Sequence, residues 1–310
     1  MDPKVEVSVI LSVFNADKFI AQAVKSVLNQ TFKDLELIII DDASTDNTAK
    51  ILQSFDDPRI ILIKQKCNIG LSSAKNIGLE VARGVWVAFI DADDGWHEER
   101  LSKLLELSEQ YPNAFFASNI IKCFSGPDNE LVPWRQLSLK CPHDKNEKVI
   151  IYQTIYDFVK YGFDAKPIFP LGIIKRFNLR FRQELRGEEW LEFILRFYQE
   201  GLRLVVLNEP LYFYRISANQ LSSTYKQICN QLESITYLQS LDWIDAPTRD
   251  IFKKKKKAIE QRFLTTALRE KRLKDVLRSS VYYPSSIFYL FCRIPVFLFE
   301  KYCAYRASKG

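Results

Sequence analysis

The sequence predicts an α/β fold built on a parallel sheet covered by helices on both faces. Two observations predict it. Short apolar runs rich in Val, Ile and Leu recur through the first hundred residues, and strands buried on both faces read as continuous apolar runs. Between these runs lie segments of helical periodicity, about 10–15 residues each, which is the spacing of strands joined by crossover helices.

Residues 7–13 form the first expected strand. A helix follows from about Asp17, with Phe19/Ile20, Ala23/Val24 and Val27/Leu28 on one face. Residues 35–40 make a second strand that ends in Asp41-Asp42. Ser44 stands where it can cap the next helix, whose apolar side carries Ala49, Leu52 and Phe55. Residues 60–63 give a third strand. Residues 71–82 are helical, Gly84 is expected to stop that helix, and a fourth strand over 85–90 leads into Asp91. A helix over about 98–109 and a strand over 115–122 come next. Residues 125–148 are polar and contain Pro, so a long surface loop is expected. Helices are expected over 152–161 and 188–199, and short strands over 204–207 and 211–214. From about Gln227 the pattern is helical and basic.

The chain has 310 residues, 47% of them hydrophobic, enough for one large core or two small ones. Six cysteines show no CxxC pair and no repeated spacing, so a disulfide frame and a zinc site are not indicated. His97 and His143 are the only histidines, which argues against a His-rich metal centre. The chain opens Met1-Asp2-Pro3-Lys4 and enters a strand at once, so no signal peptide is expected. Charge is unevenly spread: residues 249–278 hold 12 Lys/Arg against 4 Asp/Glu, in a chain whose net charge is +6. Such asymmetry suits an acidic surface.

Phe89-Ile90-Asp91-Ala92-Asp93-Asp94 carries the chemistry. A buried strand runs into three carboxylates within four residues, whose repulsion and desolvation call for a counter-ion. Oxygen-only ligands suit Mg²⁺ or Mn²⁺, which bridge carboxylates to substrate phosphates; the plain alternative is a solvated acidic turn before a helix. In parallel α/β sheets ligands bind beyond the carboxyl ends of the strands. Val13-Phe14-Asn15 and Asp41-Asp42 also end strands and belong on the same rim. No GxxxxGK[ST] and no GxGxxG is present, so diphosphate charge must be met by the metal and by side chains such as Lys75.

With these residues in view the chain resembles the family 2 glycosyltransferases of GT-A fold. The resemblance rests on Val7-Ser8-Val9-Ile10 with Phe14-Asn15, on Ser26-Val27-Leu28-Asn29-Gln30-Thr31-Phe32, and on Glu36-Leu37-Ile38-Ile39-Ile40-Asp41-Asp42-Ala43-Ser44-Thr45-Asp46. It continues through Asn68-Ile69-Gly70-Leu71-Ser72-Ser73-Ala74-Lys75-Asn76-Ile77-Gly78 and the acidic run. It implies a GT-A (Rossmann-like) nucleotide-sugar-binding domain with a mixed central sheet over 1–225, and a helical C-terminal appendage over 226–310. The first domain divides into a nucleotide half (about 1–110) and an acceptor half (about 111–225). The implied reaction is metal-dependent, inverting sugar transfer from a nucleotide-sugar, with a UDP-sugar favoured, to a saccharide or lipid-linked acceptor in surface polysaccharide or glycoconjugate synthesis.

Roles follow by resemblance. Asp42 meets the base with Asp41 beside it. Asp93 and Asp94 meet ribose and metal-diphosphate, with Mn²⁺ or Mg²⁺ as the ion. Lys75 stands where Arg is common, Glu189 of Glu188-Glu189-Trp190 stands where the family has the Asp base, and Ser217 stands where many members have His. Those three departures motivate an alternative, a catalytically weak nucleotide-sugar-binding protein. A sugar-nucleotide pyrophosphorylase is disfavoured, because no Gly-rich N-terminal phosphate loop is present. A cytoplasmic location is expected, without nucleic acid. The basic stretch from Lys253 to Arg278 and the apolar runs 287–291 and 296–299 are expected to lie peripherally on a membrane, since Arg293 and Pro295 interrupt any span.

Overall fold

The structure, a computed structural model, describes residues 5–136, 147–161, 166–216 and 225–269. It divides into two compact units: Met1–Glu184 with Glu189–Gln220, and Leu185–Glu188 with Leu221–Gly310. The first unit begins β1 (Val7–Val13), α1 (Ile20–Leu28), β2 (Leu35–Asp41), α2 (Thr48–Gln53), β3 (Ile60–Lys64), α3 (Leu71–Val81), β4 (Trp86–Asp91), β5 (Gly95–Trp96) and α4 (Arg100–Gln110). It continues β6 (Ala114–Ser125), β7 (Leu131–Gln136), β8 (Val149–Tyr152), α5 (Ile155–Tyr161), β9 (Phe169–Pro170), α6 (Leu171–Arg176), α7 (Glu189–Gln199) and β10 (Arg203–Arg215). The second unit holds α8 (Tyr225–Ser240) and α9 (Ala246–Arg269).

One sheet has the order β3-β2-β1-β4-β9. Its first four strands are parallel and β9 pairs antiparallel with β4. All residues of β1 and β2 are buried, as expected of strands covered on both faces. Ile20, Ala23, Val24 and Val27 of α1 form the buried stripe. Gly78 of α3 lets that helix lie on β1, since a Cβ there would stand 2.6 Å from Ile10 Cγ2. The second sheet has the order β5-β10-β6-β7, with β8 also on β10. Between the sheets' helices, Phe89, Phe115, Phe169, Phe181, Phe193 and Phe197 are fully buried and meet ring to ring at 4.1–6.4 Å, pairs that each add about 0.5–1.5 kcal/mol beyond area burial.

Several local expectations change. α1 starts at Ile20, after a turn. Ser44 does not cap α2; its Oγ accepts the Asn15 N–H at 3.0 Å, and Asp46 Oδ1 accepts the Thr48 N–H at 2.9 Å instead. Gly84 is not a helix stop. α3 ends as Ala82 turns extended, and Gly84 is small because a Cβ would meet Ser8 N at 2.6 Å and Trp86 O at 2.8 Å. The expected loop after 125 contains β7, a hairpin partner of β6. Residues 203–215 form one strand, not two, because Pro210, which has no N–H, sits in a bulge between two register shifts.

The second unit packs Ile228, Leu232, Ile235 and Leu238 of α8 and Phe252, Ile259, Phe263 and Ala267 of α9 inward. Asp245 opens α9 by accepting Thr248 N–H at 2.7 Å. Lys253, Lys254, Lys257 and Arg262 are exposed. Among the described residues no helix is long and apolar enough to cross a membrane. The aromatic runs 287–291 and 296–299, the basic residues beyond Arg269, and Ser217 lie outside the described residues.

Candidate active site

Strand register builds the rim. Val13 pairs with Asp41 and Ser12 with Asp91, so β1, β2 and β4 end side by side and their following loops share one edge. Those loops are stitched together. Asn15 Oδ1 accepts the Thr45 N–H at 2.8 Å, and Ala16 N–H reaches Thr48 Oγ1 at 2.9 Å. Asn15 (φ 52°) and Ala43 (φ 63°) are left-handed. For alanine that conformation costs about 1–2 kcal/mol, strain of a kind that clusters at ligand sites. Phe14 stands on this edge with 48% of its surface exposed.

Asp41 and Asp42 do different work. Asp41 Oδ1 accepts the Ser44 N–H at 3.0 Å. Both aspartates are buried, and the two oxygens of Asp42 accept Ile69 N–H at 2.8 Å and Gly70 N–H at 2.9 Å. Asp42 therefore holds the loop that enters α3 through the left-handed Gly70 (φ 88°).

The acidic turn also splits its carboxylates. Asp94 is 1% exposed. Its Oδ2 accepts from the Tyr212 hydroxyl at 2.7 Å and its Oδ1 from the Arg215 N–H at 3.0 Å. Burial, then Asp91 and Asp93, push its carboxyl well above the usual range. β5 makes this contact, because Trp96 pairs with Tyr212 and so brings the end of β10 onto the turn. Arg215 closes it: Nε donates to Asp93 O at 2.8 Å, and its other nitrogens to Ser125 Oγ at 2.6 Å and Gln22 Oε1 at 2.7 Å. Asp91 keeps 28% of its side chain exposed and pairs with Lys166 at 2.6 Å. Burial raises its pKa, but Lys166 and Lys75 outweigh burial and leave it below the usual range. Asp93 is partly exposed; burial, then Asp91, raise its carboxyl.

Lys75 and Glu189 come to the same place through an aromatic cage. Asn76 grips Phe181 by both backbone groups at 2.8 Å. Phe181 packs on Trp190 at 5.0 Å, and Trp190 on Phe89 of β4 at 5.1 Å. Glu189, beside Trp190 at the start of α7, is partly exposed and acts electrostatically on Lys75. Lys75 is 2% exposed, with Nζ 4.3 Å from the Trp190 ring centre and, among the described residues, without a hydrogen-bond partner; burial lowers its pKa to about 8. Glu188 belongs to the second unit, where it acts on Lys255 of α9.

The sequence profile described as Glycosyl transferase family 2 matches residues 8–179. The chain belongs to the family 2 glycosyltransferases. It is 33% identical over 219 residues to TuaG of Bacillus subtilis, a glycosyltransferase named for teichuronic acid biosynthesis, covering 70% of this chain and 81% of that one. It is 29% identical over 218 residues to the uncharacterised glycosyltransferase EpsJ of the same organism, covering 70% of this chain and 62% of that one. The chain thus spans less than two thirds of EpsJ. In fold it is similar to TarS of S. aureus solved with UDP-GlcNAc (TM-score 0.62, 18% identity, 84% of this chain and 71% of that one). It is likewise similar to the mannosyltransferase PcManGT of Pyrobaculum calidifontis solved with GDP-Man and Mn²⁺ (TM-score 0.61, 16% identity, 93% and 84%). The fold is GT-A.

In this glycosyltransferase, sequence reasoning missed Lys166, Trp190, Tyr212 and the clamp made by Arg215. No local pattern hints that the Arg215 guanidinium reaches Gln22, 193 positions away. Lys166 had no local signal at all: its partner Asp91 is 75 residues distant.

Proposed function

We propose that this glycosyltransferase moves a sugar from a nucleotide-sugar, a UDP-sugar by preference, to an acceptor hydroxyl with inversion, in surface polysaccharide or glycoconjugate synthesis. The observation that carries the reading is the rim itself: Phe14-Asn15, Asp41-Asp42 and Asp91–Asp94 share one edge, with Lys75 and Glu189 brought beside them. TuaG's name and the nucleotide-sugars in the two solved relatives support the substrate class.

Phe14 and Asn15, both exposed, line the edge for the nucleoside, Phe14 offering its ring face, with Val13 and Asp41 buried directly behind them. Asp42 contributes by fixing the loop at Ile69-Gly70. Among the described residues no three or more His, Cys, Asp or Glu gather as for a metal. The oxygen donors Asp93 and Asp91 would still suit Mn²⁺ or Mg²⁺, since such ions are commonly bound through one or two carboxylates together with substrate phosphates. Sequence reasoning put Asp94 with Asp93 on the metal. Its burial and two hydrogen bonds recommend it as the anchor behind the site, with Asp93 and Asp91 facing the ion. When bound, the ion offsets charge on the departing diphosphate.

Glu189 is the base. As the acceptor oxygen attacks C1 opposite the leaving group, the O–C1 bond forms, the C1–O bond to the diphosphate breaks, and the hydroxyl proton passes to the Glu189 carboxylate. Lys75, charged, adds to the positive field around the diphosphate. The exposed basic face of α9 suits anionic lipid heads, which would hold the enzyme peripherally near a lipid-linked acceptor, on the cytoplasmic face.

Glu189→Gln keeps size and removes basicity. Turnover of nucleotide-sugar to nucleoside diphosphate should fall by ~10²–10⁴ with donor affinity unchanged. Equal loss of affinity, or full turnover, would remove Glu189 from this role.

A further inference from the structure

Among the described residues, Arg215, Lys75 and Lys166 bring positive charge to the acidic turn, and their geometries differ. Arg215 directs Nε and both terminal nitrogens to Asp93 O, Ser125 and Gln22, so its guanidinium serves the fold. Lys75 is buried beneath Trp190 and Phe181. Lys166 is placed otherwise. Its backbone carbonyl is held by Arg100 Nη2 at 2.6 Å, and Arg100 is itself buried against the Trp96 ring at 4.5 Å. From that fixed point the Lys166 ammonium crosses the Trp190 ring at 4.7 Å and meets Asp91 at 2.6 Å. Its side chain is 11% exposed and that of Asp91 28%, so the pair is partly open to solvent, whereas Lys75 is 2% exposed.

We propose that Lys166 is a further donor-binding residue, which holds Asp91 while the site is empty and moves to an oxygen of the donor's diphosphate when donor and metal arrive. The proposal rests on the reading of the rim as a nucleotide-sugar site. The charges require such a move. The Lys166 ammonium on Asp91 would be repelled by a divalent ion held by Asp93 and Asp91 and would be attracted by a diphosphate bound beside it. Lysine suits the exchange, because its compact charge rides on a flexible four-carbon stem, whereas a guanidinium prefers a fixed fork. The Trp190 face keeps the ammonium favourably placed along the way.

Binding of UDP and of GDP to the full-length protein is measured by calorimetry with and without Mn²⁺, together with binding of Mn²⁺ alone, for wild type, Lys166→Met, Lys166→Gln and Lys166→Arg. Melting temperatures identify the folded variants. Nucleoside diphosphate with Mn²⁺ should bind Lys166→Met and Lys166→Gln about tenfold to hundredfold more weakly, the worth of one charge-assisted hydrogen bond, and Lys166→Arg should recover part of the loss. Mn²⁺ alone should bind the uncharged variants as tightly as wild type or several-fold tighter, because a competing cation is gone. Unchanged diphosphate affinity in Lys166→Met or Lys166→Gln overturns the proposal. So does a parallel loss of Mn²⁺ binding, which would make Lys166 a builder of the turn. If wild type binds neither diphosphate, the nucleotide-sugar reading itself falls, and the proposal with it.

Discussion

Lys75 is the residue where function and stability pull apart. An ammonium with 2% exposure and, among the described residues, no hydrogen-bond acceptor is a poor choice for a core. Burial takes its pKa from 10.5 down to about 8. Between those values the unfolded chain holds a proton that the folded chain has released, so stability rises with pH across that window; below it the burial cost stands in full. Lys75→Met should therefore be more stable than wild type at pH 7 by about 1–3 kcal/mol. That advantage should shrink as pH rises from 8 to 10.5, while donor affinity falls. Urea unfolding at pH 7 and pH 10 checks it, and a Met variant less stable at pH 7 would contradict it. The sequence named Lys75 through its family block, yet gave no sign of the cage around it. Phe181 and Trp190 lie more than a hundred positions away, and no local pattern joins them.

At the scale of elements, the acidic turn is held by β10. β5 pairs Trp96 with Tyr212, and Asp94 then binds the Tyr212 hydroxyl and the Arg215 N–H. A metal ligand on an open turn could be truncated at little cost to folding. Asp94→Ala instead leaves two buried donors without an acceptor, at about 1–3 kcal/mol each, so its melting temperature should drop clearly. A wild-type melting temperature would show that the turn does not depend on this anchor. The parallel core was legible for a physical reason: β1, β2 and β4 are largely buried on both faces, so each appears as a mainly apolar run, broken in β1 and β2 by Ser8, Ser12 and Glu36, and the residues after each run mark the rim. The second sheet was less legible. β7 is almost wholly exposed and carries Pro133, and β10 is interrupted at Pro210, so neither offers a clean period. Ser44 and Gly84 were given the commonest roles of their residue types, whereas tertiary contacts with Asn15 and with the backbone of β1 decide what they do.

The whole molecule joins a GT-A unit to a second, helical unit whose α9 exposes Lys253, Lys254, Lys257 and Arg262. Each such charge is worth about 1 kcal/mol near an anionic leaflet. Full-length protein should therefore co-sediment with phosphatidylserine vesicles at low salt and leave them at high salt. Protein that stays in the supernatant at low salt would contradict the peripheral placement. The central claim concerns the rim, and titration calorimetry of UDP and GDP against wild type and Asp93→Ala, with and without Mn²⁺, tests it most directly. Asp93 is partly exposed, and the Arg215 Nε hydrogen bond goes to its backbone carbonyl, which alanine keeps, so the variant should fold with near wild-type stability. The account predicts that Mn²⁺ tightens diphosphate binding to wild type and has no such effect on Asp93→Ala. Equal Mn²⁺ enhancement in both proteins, or none in wild type, would contradict it.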